Sequence, residues 1–391
     1  QWRMNFSRVQ WHTDIVDRKY KKRLNPETGK PLHEENWVWS KMKVVSMHIP
    51  DRWGYLEFSQ DEPEKVQDPL KAVPVLVWMD GHKNWSVDRW DSAFDGMKSH
   101  GITGILTQAG PSTLKTIIPL ARKYDIEVGK WFITLLNNDS LLLHQHPDWF
   151  MVNREGHSSV THPAYVGYYR FLCPSNPEVL PYLKERLREY LAIDGLKEIH
   201  LDYIRCPDVI LPEGLWSDYG IVQDHEYPTY DYCYCQHCRQ KFVAQGEKDP
   251  LEIEHPEDDP EWRQFRYDQI TGVVKQLANY CHQEGKQLSA AVFPGPSTSK
   301  RLVRQAWDQW PLDRVMPMLY QRFYLAPLGW IGDQTAEGVR AVAKAKTPYY
   351  SGLYIPGLNP VDFRIAIRES LEGGATGICL FNYESISPLH W

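Results

Sequence analysis

Apolar residues follow two alternating periods along most of the chain. From residue 75 onward, short apolar runs of strand length alternate with stretches in which apolar residues recur every three or four positions, as on one face of a helix. The strand-like runs are residues 75–79, 104–107, 127–135, 198–203, 287–293, 314–320, 348–354 and 377–383. Alternation of this kind predicts a parallel α/β sheet, and eight units favour a closed (β/α)8 TIM barrel. The alternative is a doubly wound open sheet.

Capping residues support the helical stretches. Ser86, Asn176 and Asn359 each precede one of them, and both asparagines are followed by proline. Short polar side chains cap the free N–H groups of a first helical turn, and proline is tolerated in that turn.

Residues 1–70 do not show this alternation of strand-like and helix-like segments. Segments 2–11 and 44–58 have β character and are separated by a polar loop, which predicts a small β-rich extension before a barrel domain of residues 71–391. The apolar side chains of Trp2, Phe6, Trp53 and Tyr55 need cover, and we expect them to dock on the outer surface of the barrel.

Charge and hydropathy exclude two classes of partner. The formal net charge is −6 and basic runs are absent, which argues against nucleic acid. No apolar run approaches the roughly 18 residues of a membrane span.

The chain of 391 residues is rich in aromatic side chains, with 16 Trp and 22 Tyr. Their rings suit stacking on sugar rings, and packing in the protein interior is the alternative. The oligomeric state stays open.

Two connections are too long to be simple turns. Residues 136–174 and 206–260 follow the carboxyl ends of the third and fourth predicted barrel strands, where barrels hold their active sites. We expect these two loops to form the walls of a cleft.

Three acids lie at the carboxyl ends of predicted strands: Asp80, Asp202 and Glu384. Glycosidic bonds are most often cleaved by two carboxyl groups. Asp202 is the best member of such a pair, with Glu384 as the expected partner and Asp80 in reserve. Arg205 is expected to favour ionised Asp202. The alternatives are a structural ion pair of Asp202 with Arg205, and structural or solvated roles for the other two acids.

Further side chains near these strand ends are candidates for substrate binding, because aromatic rings stack on sugar rings and polar groups bond to sugar hydroxyls. They are His82, Trp131, Tyr203, Arg205, Phe293, Tyr320 and Tyr354.

Five segments together resemble the glycosyl-hydrolase-like family 10 barrels, over about residues 75–391. They are Asp194-Gly195 with residues 199–205, and residues 146–149, 174–178, 316–320 and 377–381. The resemblance implies a bacterial (β/α)8 glycoside hydrolase with Asp202 as the principal catalytic carboxylate; Cys206 stands where the family has an aromatic residue. Residues 2–9, 36–40 and 48–58 resemble the closing strands of family-nine-like carbohydrate-binding modules. We expect a secreted or periplasmic enzyme, although this chain shows no signal segment.

Three of the seven cysteines form a Cys-x-Cys-x-x-Cys cluster: Cys233, Cys235 and Cys238. Three thiolates and a fourth ligand would complete a tetrahedral zinc site. Cys206 and Cys173 are the candidates for the fourth, while His237 is sterically tight. The spacing resembles the structural zinc site of family 42 β-galactosidases, and metal-free cysteines are the alternative. No cofactor is expected for catalysis.

The sequence therefore predicts a glycoside hydrolase acting on a poly- or oligosaccharide through a carboxylate pair at the C-terminal face of the barrel. A non-catalytic glycan-binding barrel is the first alternative, because the fifth to seventh strands end without acids. A metal-dependent lyase or amidohydrolase-type barrel is the second.

Overall fold

The protein is described by a computed structural model that covers residues 2–5, 42–48, 55–60 and 73–387. The chain divides into two compact units, Gln1–Asp68 and Pro69–Trp391. In the first unit, strands β1 (Trp2–Asn5), β2 (Met42–His48) and β3 (Tyr55–Gln60) form an antiparallel sheet in the order β1-β3-β2. The other residues of the predicted β segments, and of the pieces resembling a carbohydrate-binding module, lie outside the described residues.

The second unit contains a barrel of eight parallel strands, as predicted. The strands are β4 (Val75–Met79), β5 (Gly104–Thr107), β6 (Glu127–Ile133), β7 (Glu198–Asp202), β8 (Gln287–Val292), β9 (Arg314–Pro317), β10 (Tyr350–Tyr354) and β11 (Gly377–Phe381). Their spatial order is β10-β11-β4-β5-β6-β7-β8-β9. Parallel bridges from Val315 to Tyr349 and from Met318 to Gly352 join the two ends, so the sheet is a closed barrel and not an open one.

Helices connect and cover the strands. They are α1 (Val87–Ser99), α2 (Pro111–Arg122), α3 (Ser140–Gln145), α4 (Val179–Leu191), α5 (Trp216–Tyr219), α6 (Gln236–Val243), α7 (Pro260–Gln283), α8 (Pro296–Val303), α9 (Gly329–Val342) and α10 (Pro360–Glu372). Ser86 caps α1 by accepting from the Arg89 N–H, and Asn359 caps α10 in the same way. Asn176 lies just outside α4 and accepts from the N–H of Glu178.

The alternation of side chains along each strand divides the core into two parts. Val75, Val77 and Met79 of β4 pack outward against the helices, while Leu76 and Trp78 point to the barrel axis. Trp131 of β6 joins this inner group, which forms the floor beneath the carboxyl ends of the strands. No helix in the described part of the chain is long and apolar enough to cross a membrane.

Candidate functional site

Strand β7 places three polar residues on its inner face, because side chains at every second position share a face. Glu198 lies at the start of the strand and pairs with Arg314 at 2.7 Å. His200 follows in the middle of the barrel, and Asp202 is the last residue of the strand. All three are buried, so the barrel interior is polar along this strand.

His200 supports the floor of the site. Its Nε2 accepts a hydrogen bond from Trp78 Nε1 at 2.9 Å, and its Nδ1 lies 2.8 Å from Ser289 Oγ. Burial lowers the pKa of His200 to about 3, so the imidazole is neutral at ordinary pH. Because Nε2 is the acceptor, Nδ1 carries the proton and donates to Ser289.

Asp202 lies at the carboxyl end of the barrel with only 8 % of its surface exposed. Trp131 Nε1 donates to Oδ2 at 2.9 Å, and the main-chain N–H of Tyr203 donates to Oδ1 at 2.6 Å. Tyr203 has a left-handed backbone (φ 51°), a conformation that costs a non-glycine residue free energy and is frequent at functional sites. Burial raises the pKa of Asp202, although these hydrogen bonds and the charge of Arg205 act in the opposite direction.

Arg205 pairs with Asp208 and does not cap Asp202. Its Nη1 donates to Asp208 Oδ2 at 2.8 Å, and its Nη2 lies 3.2 Å from the hydroxyl oxygen of Tyr169. The guanidinium also lies over the ring of Phe293, at 4.9 Å from its centroid. Arg205 does lower the pKa of Asp202, as expected, but burial has the larger effect, and the ion pair of Arg205 is with Asp208. Our sequence interpretation missed Asp208, although it lies three positions after Arg205.

A cleft of about 310 Å³ opens above this floor. Six of the predicted site residues line it: Trp131, Asp202, Tyr203, Arg205, Phe293 and Tyr320. The sequence interpretation missed other lining side chains, most of them aromatic and carried by loops: Gln108, Tyr165, Tyr169, Asp208, Tyr219, Phe323, Tyr324 and Phe381. Tyr354 lies behind the lining, where its ring contacts those of Tyr320 and Phe381.

The remaining predicted polar residues form a separate group. Glu384 Oε1 accepts from the Asp80 main-chain N–H at 3.1 Å and lies 2.5 Å from His82 Nε2. The His82 ring stacks on Trp85 with centroids 4.0 Å apart. The structure thus brings Asp80, His82 and Glu384 together, but none of the three is among the residues that line the cleft.

Four buried cysteines meet beside the cleft loops. The sulfur atoms of Cys173, Cys233, Cys235 and Cys238 all lie within 4.8 Å of one another. Cys206 is not in this group; its main-chain N–H bonds Val303 O at 3.2 Å, which holds it against α8. Of the two candidates for the fourth ligand, the structure brings Cys173, from the loop after β6, to the other three cysteines, and Cys206 is the one that it leaves out.

The spacing of the four sulfurs fits a tetrahedral metal site. Zinc–sulfur bonds of about 2.3 Å imply sulfur–sulfur edges of about 3.8 Å. Cys173 Sγ lies 3.4 Å from the sulfurs of both Cys235 and Cys238. The Val152 N–H points at Cys233 Sγ from 3.4 Å, a contact that a thiolate ligand would strengthen.

No family model and no curated protein matches the sequence. Among solved structures, the catalytic domain of β-amylase from Paenibacillus polymyxa is 10 % identical with a TM-score of 0.54, over 82 % of this chain and 94 % of that one. A β-galactosidase from the haloarchaeon Halorubrum lacusprofundi is 11 % identical (TM-score 0.55), over 79 % of this chain and 52 % of that one. A β-galactosidase from Rahnella sp. R3 is 9 % identical (TM-score 0.56), over 80 % and 50 %. The chain thus spans about half the length of these galactosidases, and it shares the (β/α)8 fold of these glycoside hydrolases.

Proposed function

We propose that this protein is a glycoside hydrolase acting on a poly- or oligosaccharide, with Asp202 as the acid that protonates the leaving oxygen. The observation that carries the proposal is a buried carboxyl group of raised pKa at the floor of an aromatic cleft, at the carboxyl end of a barrel strand. The resemblance of residues 199–205 to the glycosyl-hydrolase-like family 10 barrels implies a catalytic carboxylate at Asp202, without saying whether it is the acid.

The surroundings of Asp202 suit an acid. A general acid must hold its proton at the working pH, and burial in an apolar site favours the protonated carboxyl. The N–H groups of Trp131 and Tyr203 fix the orientation of the carboxyl plane. After proton transfer the same two N–H groups remain as donors to the carboxylate, which stabilises the charge that the reaction creates.

Asp208 is the second carboxylate of the cleft. Among the described residues that line it, Asp202 and Asp208 are the two acids. Asp208 Oδ2 accepts from Arg205, and in this proposal Oδ1 acts on a water molecule or on the anomeric carbon. We therefore assign the base or nucleophile to Asp208, ahead of Glu384 and Asp80, whose group lies outside the lining.

Hydrolysis of a glycan panel, with products identified by mass, tests the proposal. Asp202→Asn should lower kcat by several orders of magnitude and change KM little, because the lost interaction exists mainly in the transition state. Asp208→Asn should also lower kcat strongly. Asp224→Asn, which changes an exposed acid of the same loop, is the matched control and should behave like the wild type.

An Asp202→Asn variant with undiminished turnover would refute the role of Asp202. Circular dichroism of each variant separates lost chemistry from lost folding.

A glycan-binding barrel without activity is the second candidate function. The ion pair with Arg205 makes the carboxylate of Asp208 less available as a base or nucleophile. Wild-type protein that binds glycans and cleaves none of them would favour it.

We also propose that Cys173, Cys233, Cys235 and Cys238 bind one structural zinc ion. Cys173 belongs to the loop after β6 and the other three to the loop after β7, so the metal would tie together the two loops that supply Tyr165, Tyr169 and Tyr219 to the cleft. Structural zinc contributes directly to folding free energy.

Elemental analysis and thermal unfolding test the zinc site. We expect one zinc per chain in the wild type, well under one in Cys173→Ser and Cys235→Ser, and a lower Tm for both. Cys206→Ser is the control, because Cys206 lies outside the cluster, and it should keep its zinc. Freshly purified, chelator-free wild-type protein with well under one zinc per chain would contradict the proposal.

A further inference from the structure

We propose that the mouth of the cleft carries an aromatic platform, formed by Tyr168 and Tyr219, that binds further units of a linear, neutral glycan. This inference rests on the proposed function and extends it from one sugar site to a chain-binding surface.

A continuous series of ring contacts leads from the acid to the mouth. Tyr203, next to Asp202, lies edge-on to Tyr169 with centroids 6.5 Å apart. Tyr169 contacts Tyr168 at 5.3 Å and Tyr165 at 6.5 Å, and Tyr165 contacts Tyr219 at 5.9 Å. The aromatic surface that begins at the site of chemistry therefore continues outward without a gap.

The two outermost rings are exposed. Tyr168 has 51 % of its surface in solvent and Tyr219 has 37 %, whereas Tyr165 and Tyr169 are packed between the loops. Single exposed aromatic residues are ordinary, but exposed rings that extend the aromatic lining of a cleft are typical of a binding surface.

The main chain that carries the platform is already held in place. The Tyr168 carbonyl oxygen accepts from Asn138 Nδ2 at 2.9 Å, and Arg170 Nη1 donates to Asn138 Oδ1 at 2.9 Å. The Tyr165 hydroxyl donates to Asp208 O at 2.8 Å, and its ring stacks on Tyr230 with centroids 4.3 Å apart. A ligand that meets rings on a preordered main chain loses less conformational entropy on binding.

The charges of the cleft indicate a neutral ligand. Its ionisable side chains other than tyrosine are Asp202, Asp208 and Arg205. Burial favours the uncharged form of Asp202, and Arg205 and Asp208 neutralise each other. Since no charged partner remains among these lining residues for a carboxylate or a sulfate, stacking on neutral sugar rings is the recognition that the site offers.

Calorimetric titration of the full-length Asp202→Asn protein, which should not turn substrate over, tests the platform. The probes are malto-, cello-, xylo- and chito-oligosaccharides of two to six units, with oligogalacturonate as the charged probe. In the neutral series that binds, the longer members should bind more tightly than the disaccharide. Adding Tyr168→Ala or Tyr219→Ala should weaken the longer members about three- to tenfold and leave the disaccharide unchanged.

Two controls isolate the platform. Tyr168→Phe keeps the ring and should keep the affinity, and Tyr227→Ala removes a tyrosine of the Tyr219 loop whose ring contacts His225 and not the series that leads to Asp202. Equal affinity of Tyr168→Ala, Tyr219→Ala and their host for every length would overturn the platform, while loss of binding in Tyr320→Ala would still support the cleft itself. Tighter binding of oligogalacturonate would overturn the neutral-glycan assignment. Absence of binding to every probe would overturn the platform and count against the proposed function as well.

Discussion

Asp202 and Lys130 are buried ionisable residues on neighbouring strands, and burial acts on them in opposite directions. It raises the pKa of the Asp202 carboxyl and lowers the pKa of Lys130 to about 7, in each case because the charged form loses hydration. The Lys130 ammonium donates to the carbonyl oxygens of Gln108 and Ala109 at 2.8 and 3.0 Å. Gln108 lines the cleft, so Lys130 supports one of its edges from outside the barrel.

We predict that kcat/KM falls on the alkaline side as Asp202 loses its proton. The folded pKa lies above the ordinary value of 3.8, so the active, protonated form persists above that pH and disappears as the pH rises through the raised pKa. The pH dependence of kcat/KM on a glycan that the wild type cleaves measures this limb. If Asp202 acts as a base instead, activity will rise with pH over the same range.

Lys130→Met should change how stability depends on pH. Between the folded pKa of about 7 and the ordinary value of 10.5, the unfolded wild-type chain binds a proton that the folded chain does not, so its free energy of unfolding rises with pH. The stability of the wild type relative to Lys130→Met should therefore rise by up to about 1.4 kcal/mol per pH unit in that window. Urea unfolding at pH 7 and pH 9 measures the difference. A constant difference would show that Lys130 stays charged in the folded protein.

At the scale of elements, barrel closure depends on the approach of β9 and β10. The Leu319 N–H donates to Gly352 O at 2.8 Å, beside the bridge from Met318 to Gly352. A Cβ atom on Gly352 would lie 2.7 Å from the Pro317 carbonyl oxygen and 3.0 Å from the Trp78 ring. Glycine is therefore required here for close packing rather than for backbone freedom.

Gly352→Ala should destabilise the barrel by about 1–3 kcal/mol, the usual cost of overpacking. Gly96→Ala is the matched control, because that glycine lies within α1 and a Cβ there meets nothing within 4 Å. We expect the control to be neutral or slightly stabilising, since alanine favours helix. Chemical denaturation of both variants tests this, and equal stability of Gly352→Ala and the wild type would contradict the closure argument.

At the scale of the whole molecule, all eight barrel strands belong to the unit Pro69–Trp391, while the unit Gln1–Asp68 contains a three-stranded sheet. Both long cleft loops also lie within the second unit. The proposed catalytic, zinc and platform residues are therefore all carried by the barrel unit alone.

Removal of residues 1–70 should cause aggregation or a large loss of stability. The reason is the sequence prediction that the apolar side chains of this segment cover barrel surface, which would become exposed to water. Size-exclusion chromatography and thermal unfolding of residues 71–391 measure the effect. A monodisperse barrel of unchanged Tm would show that the segment covers nothing the barrel needs.

The sequence by itself determined the eight strands, the caps of α1 and α10, and the position of Asp202 at the end of a strand. Each depends on local periodicity or on neighbours within one turn, so a short window of residues contains the whole signal. The three clustered cysteines were found for the same reason.

Only the tertiary structure decided which distant residues meet. It selected Cys173, 62 positions from Cys235, brought Tyr165 and Tyr219 into one cleft, and placed Glu384 against the Asp80 N–H, 304 positions away. It also paired Arg205 with Asp208, so that the hydrogen bonds to Asp202 come from Trp131 and the Tyr203 N–H instead. Loops have no period from which their path can be predicted, and the pKa of a carboxyl depends on its burial by residues far away in the chain. Those properties exist only once the barrel has closed and its loops have packed together.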